Sequence, residues 1–219
     1  MARKSPGKAA GKAGKSSDPV DRIVDAALNL AGERGWRGLS LSEIAAAAGM
    51  TLAELYRHVR GKGAILDAFR RRIDAAVLAG SAPADPEEGA RDRLFDVLMR
   101  RFDALKPHRD AVAALWREGT GAPFGDPLAA LAGLCGLARS MAWMLEAAGI
   151  SASGLLGRLR TKGLSAVWLA TLPIWLKDDS ADLAATMAAL DRNLKRAEGA
   201  LNSLPRWPFG RARAADSAA

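Results

Sequence analysis

The sequence predicts an all-α fold, and three observations carry the prediction. Helix start signals recur along the chain, at Asp18-Pro19, Ser40 to Glu43, Thr51 to Glu54 and Asp126-Pro127. Apolar residues between them return at i, i+3 and i+4, the period of a helix with one buried face. No stretch alternates apolar with polar, and no strand-helix-strand pattern or fixed-period repeat is present. With 219 residues, 49% hydrophobic and 26% charged, the chain has enough apolar material for a real core and is unlike a disordered protein.

The elements follow in order. Residues 1–17 are Lys, Gly, Ala, Ser and Pro, which cannot offset the entropy of ordering, so a flexible arm is expected. Asp18 then caps a helix with Pro19 in its first position. Val20, Ile23, Val24, Ala27, Leu28 and Ala31 supply its apolar stripe, and Gly35 closes it. Ser40 and Glu43 form a capping box for a short helix, Leu41 to Ala48, ended by Gly49. Thr51 and Glu54 form a second box, for a helix through about Val59 or Arg60. A fourth helix is expected from about Ala64 to Leu78. The Pro- and Gly-containing stretch from Ser81 to Gly89 reads as a linker. Helices are then expected at about Glu87–Leu105, His108–Arg117 and Pro127–Ala148. A long helix, Gly154–Lys177, should be kinked by Pro173. Asp178-Asp179-Ser180 caps a last one, Ala181–Leu201. Two prolines and Gly210 prevent a continuous helix after Leu204. The organisation is an arm (1–17), a first domain (18–80), a second domain (81–203) and a tail (204–219).

Charge narrows the function classes. The net charge is +8, yet residues 1–17 carry +5, residues 18–80 carry +1, residues 81–203 are neutral and residues 204–219 carry +2. An anionic partner would therefore meet mostly the two ends. One cysteine excludes a disulfide framework, and two histidines without carboxylates at ligand spacing exclude a zinc site. No metal and no cofactor is expected. No apolar run reaches the roughly 18 uncharged residues of a membrane span, and no secretory signal is legible, so a soluble cytoplasmic protein is expected. Ser, His and acidic residues show no catalytic spacing, and no glycine-rich phosphate loop occurs, so the chain does not read as an enzyme. Cys135, on an apolar helix, is expected in the core.

The informative constellation is the pair of short helices about Gly49. Ile44, Ala45 and Ala48 are small or apolar, so the two helices can cross closely, and Leu55 and Val59 point inward. Such a helix-turn-helix lays its second helix in a DNA major groove. The segment Leu41-Ser-Glu-Ile44-Ala45, Gly49-Met-Thr51, Leu55-Tyr56-Arg57-His58-Val59, Lys62 and Leu66 resembles the DNA-binding domain of the TetR family of transcriptional regulators over residues 20–66. The resemblance implies that Thr51, Tyr56 and His58 contact DNA and that Lys62 meets a phosphate. Arg57 and Arg60 are further candidates for double-stranded DNA. Two positions depart from the family pattern, Val59 and Gly63. The outer face of the second short helix offers Leu52, Ala53 and Glu54, none of which makes the bidentate base contacts of Arg, Asn or Gln. Glu54 is read as the cap.

The resemblance further implies that the second half binds a small effector and forms a homodimer. It gives the complete architecture expected: an N-terminal three-helix helix-turn-helix domain and a C-terminal helical ligand-binding and dimerisation domain. Two stripes are expected at the dimer surface, Leu183, Met187, Leu190 and Leu194, and Trp168, Leu172 and Trp175; either could equally be core. Phe95, Met99, Phe102, Trp116, Met141 and Met144, with Phe124, Cys135, Trp143 and Leu145, are candidates to line an apolar pocket, although any one of them could be core; Arg139 among them could meet an acidic head group but is read as a solvated or dimer-face charge. A second resemblance concerns residues Ala166 to Arg192, including Trp168, Trp175, Asp178-Asp179-Ser180, Asp182 and Thr186. They are similar to the C-terminal helices of the lipid-binding proteins of ubiquinone biosynthesis, which share the TetR fold. That implies the alternative of a lipid-binding accessory protein with no DNA role. The tail, with Trp207 and Phe209 among Arg206, Arg211 and Arg213, has the composition of a weak membrane-surface contact.

Overall fold

A computed structural model describes residues 18–81, 87–120 and 127–203. All regular structure among the described residues is helical, as the sequence predicts: α1 (Pro19–Arg34), α2 (Leu41–Ala47), α3 (Leu52–His58), α4 (Lys62–Ala79) and α5 (Ala90–Leu105). A 3-10 turn (Lys106–His108) follows, then α6 (Arg109–Thr120), α7 (Pro127–Ala147), α8 (Gly154–Trp175) and α9 (Ala184–Asn202). The arm, the tail, Phe124 and the cap expected at Asp126 lie outside the described residues.

The chain divides into two compact units. The first takes residues 1–73 and 105–133, and the second residues 74–104 and 134–219. The 3-10 turn and α6 thus group with α1 to α3, because α1 packs along α6. Gly32 permits that approach: a Cβ there would stand 3.3 Å from the Cβ of Asp110. Ile23, Val24, Ala27, Leu28 and Ala31 of α1 are buried, with Ile44, Leu55, Ile65, Ala111 and Ala114. The α1 residues among them are ones that the apolar periodicity singles out, while Val20 of the same stripe is half-buried.

The second unit is organised by aromatic packing. Phe102 of α5 is fully buried; its ring stacks on Trp168 at 4.4 Å and lies 5.6 Å from Trp175. Arg101 lies over the Trp168 ring at 5.2 Å and pairs with Asp74 inside the core. Ser140 completes that group by donating to Asp74 Oδ2 at 2.7 Å. A buried ion pair is costly to break from one side, because the remaining charge is left unpaired.

The α8–α9 corner departs from expectation. Asp178 does act as a cap, but from further back. Its Oδ2 accepts the Thr186 amide and hydroxyl, both at 2.7 Å, and its Oδ1 accepts the Ser180 amide and hydroxyl. These bonds hold its carboxyl well below the usual carboxylate range. Closing them consumes residues 181–183 as a connection, with Leu183 left-handed at φ 55°, so α9 starts at Ala184 rather than Ala181. Pro173 falls in the last turn of α8, two residues before the helix ends.

Candidate nucleic-acid interface and effector cavity

Two reciprocal caps set the helix-turn-helix. The Ser40 hydroxyl accepts the Glu43 amide at 3.2 Å while Glu43 Oε2 accepts the Ser40 amide at 2.8 Å. Thr51 and Glu54 repeat the arrangement at 3.2 Å and 2.7 Å. Each glutamate also accepts a hydrogen bond from its partner's hydroxyl. Hydrogen bonds from Ser40, side chain foremost, lower the Glu43 pKa; those from Thr51, backbone foremost, lower that of Glu54. Glu54 is therefore the cap that the sequence predicts. Between the helices, Gly49 turns the chain at φ 69°, and Met50 donates back to the Ala45 carbonyl at 3.0 Å.

The caps orient α3. Leu55 and Val59 are buried at 1% and 5% exposure, and Tyr56 is 75% exposed. Thr51, Arg57, His58 and Arg60 are also exposed. Tyr56, His58 and Arg60 make no hydrogen bond to the rest of the described chain. Arg57 stands 4.0 Å from Glu54. The amide and hydroxyl of Thr51 both point at Glu54, so that carboxylate sits where an anion would otherwise be received.

Lys62 is placed differently. Its ammonium donates to the carbonyls of Trp36 (2.6 Å), Leu39 (2.9 Å) and Arg37 (3.2 Å), which engages all three of its protons, and it lies 5.1 Å from the Trp36 ring centre. Burial lowers its pKa, opposed by the charge of Glu118. The same loop is held from its amide side. Glu118 of α6 accepts the Trp36 amide at 2.8 Å and the Arg37 amide at 2.6 Å. A carboxylate and an ammonium thus clasp the α1–α2 connection from opposite polarities of one backbone segment. Nothing in the sequence pattern marks Glu118: it lies 81 positions from Arg37, and a lone glutamate on a helix is usually a solvated charge.

None of the six residues expected to line a pocket is in the lining of the cavity or the groove described below. Phe102, Met141 and Met144 are fully buried core. Phe95 and Met99 are half-buried on α5, and Trp116 belongs to the first unit. Trp143 is 53% exposed. Cys135 is exposed, contrary to expectation: its turn of α7 presents Leu131, Leu134 and Cys135 outward, so apolar composition there does not mean burial. Arg139 is exposed, as expected. Both stripes expected at a dimer surface are largely used inside one chain, with Leu183, Leu190, Leu194, Trp168, Leu172 and Trp175 all buried and Met187 half-buried. What α8 leaves outside is Leu155, Leu156 and Leu159.

A partly enclosed cavity of about 710 Å³ lies within the second unit. The first turns of α5, the 149–151 connection, α8 and α9 form its walls. A shallower groove of about 480 Å³ adjoins it along α8 and α9. Among the described residues, no cluster of His, Cys, Asp and Glu could hold a metal, and no helix is long and apolar enough to cross a membrane.

Residues 23–69 match the family model for bacterial regulatory proteins of the tetR family, and that segment contains both caps, the Gly49 turn, the exposed α3 face and Lys62. Over these residues the chain carries a tetR-family regulatory domain. Over 86 residues it is 35% identical to the HTH-type transcriptional repressor DrrR1 of Streptomyces coeruleorubidus, covering 39% of this chain and 31% of that protein. The chain thus spans about a third of the length of this curated relative. The crystal structure of a TetR transcriptional regulator from Nitrosomonas europaea ATCC 19718 superposes with a TM-score of 0.65 at 26% identity, covering 83% of this chain and 99% of that one. The transcriptional regulator FadR of Bacillus subtilis, solved with stearoyl-CoA, shares the fold at a TM-score of 0.52 and 19% identity, covering 81% and 96%.

Proposed function

We propose that this chain is a homodimeric tetR-family transcriptional repressor whose hold on DNA is weakened by a small molecule with an apolar body. The observation that carries the reading is the polarity of α3. Its inner face is closed by Leu55 and by Val59 at its end, and its outer face presents Tyr56, Arg57 and His58, with Arg60 exposed just beyond, without hydrogen bonds that would occupy them. A phenol, an imidazole and two guanidiniums reach phosphate oxygens and base edges. Thr51 is exposed beside them, with its amide and hydroxyl engaged by Glu54. In this reading Lys62 acts from behind, holding the loop that seats α2. The effector half is supported by the cavity of the second unit, and by FadR, a protein of the same fold, having been solved with stearoyl-CoA.

The dimer in this reading is supported by half-site geometry: in a helix-turn-helix dimer two reading helices enter successive major grooves about 34–36 Å apart. The exposed Leu155, Leu156 and Leu159 of α8 are the surface proposed for it.

The test is a mobility shift on the DNA flanking the protein's own gene, at several salt concentrations. Binding should fall steeply with salt. It should fall at least tenfold in Tyr56→Ala and in an Arg57→Ala/Arg60→Ala variant, with the thermal midpoint unchanged. Absence of any shift at low salt, with lipid co-purifying, would favour the second reading, a lipid-binding accessory protein without a DNA role. The exposed leucines and the cavity are what that reading rests on.

A further inference from the structure

We propose that the cavity of the second unit takes an amphipathic anion, its apolar chain against α8 and α9 and its carboxylate or phosphate head at Arg91 and Arg160. This deepens the effector part of the function proposed above and rests on it. The walls divide by chemistry. Leu94, Leu145, Leu164, Val167, Leu194 and Leu201 make an apolar lining. Three guanidiniums, Arg91, Arg93 and Arg160, line the same space with Glu198, and Asp92 and Asp191 stand beside Arg91. A cavity of this volume is within the range that encloses a small organic ligand, and guanidinium donors that the fold leaves without a hydrogen-bond acceptor at its lining suit an oxyanion head.

The arginines differ in how far the fold occupies them. Arg93 donates to the Ala148 carbonyl at 2.8 Å and to the Glu88 carbonyl, so it fastens α5 to the end of α7. Arg160 makes one long bond, 3.3 Å, to the Ser151 carbonyl, leaving most of its guanidinium donors without a protein partner. Arg91 lies 3.5 Å from Asp92, 3.9 Å from Glu198 and 4.0 Å from Asp191, and none of these contacts is a hydrogen bond. Its Nε is buried and has no acceptor. A buried donor without an acceptor is unfavourable, and an oxyanion entering beside it would supply one. Arg91 and Arg160 approach from α5 and α8, so one anionic head would bridge two elements that otherwise meet across the cavity.

The experiment is direct titration calorimetry of the full chain, without DNA, using dodecanoate, dodecyl phosphate and dodecanol below their aggregation concentrations. At least one anionic probe should bind at least tenfold more tightly than dodecanol. Which of the two binds better distinguishes a carboxylate from a phosphate source. Arg91→Ala/Arg160→Ala should remove that preference while leaving dodecanol affinity within twofold. Leu164→Trp should abolish binding of all three. If that variant does not fold, Leu201→Trp at the less buried end of the lining serves the same purpose, folding being checked by circular dichroism. Equal affinity for dodecanol and both anions, or a preference that survives the double arginine variant, would overturn the proposal. A probe that binds as expected but leaves a DNA complex intact would instead count against the effector-controlled repressor and leave the anion site standing.

Discussion

Replacing Glu118 by alanine tests whether α6 holds the helix-turn-helix in shape. The variant removes two charge-assisted hydrogen bonds, 2.8 Å to the Trp36 amide and 2.6 Å to the Arg37 amide. The first is half-buried and the second exposed, so the first contributes about 1–2 kcal/mol and the second about 1 kcal/mol. A total of about 2–3 kcal/mol lowers the melting temperature of a chain this size by about 5–10 °C. The loss is local in origin, so amide exchange at Trp36 and Arg37 should accelerate roughly 30-fold for the first 2 kcal/mol. Glu118→Gln keeps one acceptor and should recover about half of the loss. Lys62→Met removes the contacts on the carbonyl side of the same loop, so it should couple to Glu118→Ala in a double-mutant cycle by about 0.5–1 kcal/mol. Gly35→Ala attacks the clasp from a third direction: it forces a side chain into a φ of 85° and drives Cβ into Glu118 Oε1. A melting temperature within about 1 °C of the parent in Glu118→Ala, with unchanged exchange at Trp36 and Arg37, would refute the clasp.

Three further outcomes are expected. Phe102→Ala empties a site between two indoles and should destabilise the protein by about 3–5 kcal/mol, read by denaturant unfolding, whereas Phe102→Leu should retain most of the stability. Gly157→Ala should cost about 1–3 kcal/mol by overpacking, because its Cβ would run into the Ala152 backbone; thermal melts with Gly163→Ala as the control, where a Cβ meets open space, would show it. His108 is half-buried, edge-on to Phe69 at 5.2 Å, with Arg72 beside it and Asp25 opposing. Burial first, then Arg72, lowers its pKa from the ordinary 6.5. The unfolded chain therefore binds the proton more readily, so stability is undiminished above about pH 6.5 and falls as pH drops below it toward the depressed value. Chemical denaturation across that range should show the decline in the parent and a flatter profile in His108→Gln.

The parts of this protein that were legible in its sequence are those decided within a few residues. Capping by Ser40 and Thr51 reaches three positions along the chain, and the Gly49 turn involves one residue's backbone. The buried faces of α1 and α3 follow from the 3.6-residue period. These are local rules, and Asp18, Glu43, Glu54, Leu55 and Val59 obey them. The exposed side of α3, the one proposed to meet DNA, follows as the complement of its buried side.

What tertiary structure decided is where long-range partners meet. Glu118 and the 36–39 loop, Arg101 and Asp74, and Arg91 beside Glu198 are far apart in sequence, and no periodicity encodes such pairs. Lys62 shows the difference within one residue: its position in the motif was readable, while its engagement by three carbonyls depended on how the α1–α2 loop folds over it. The apolar residues Phe102, Met141 and Met144 carry the same lesson. Composition tells that they leave water, but only packing decides whether the space beside them is filled by an indole or left open for a ligand, because apolar burial is non-directional and a cavity is defined by what fails to meet.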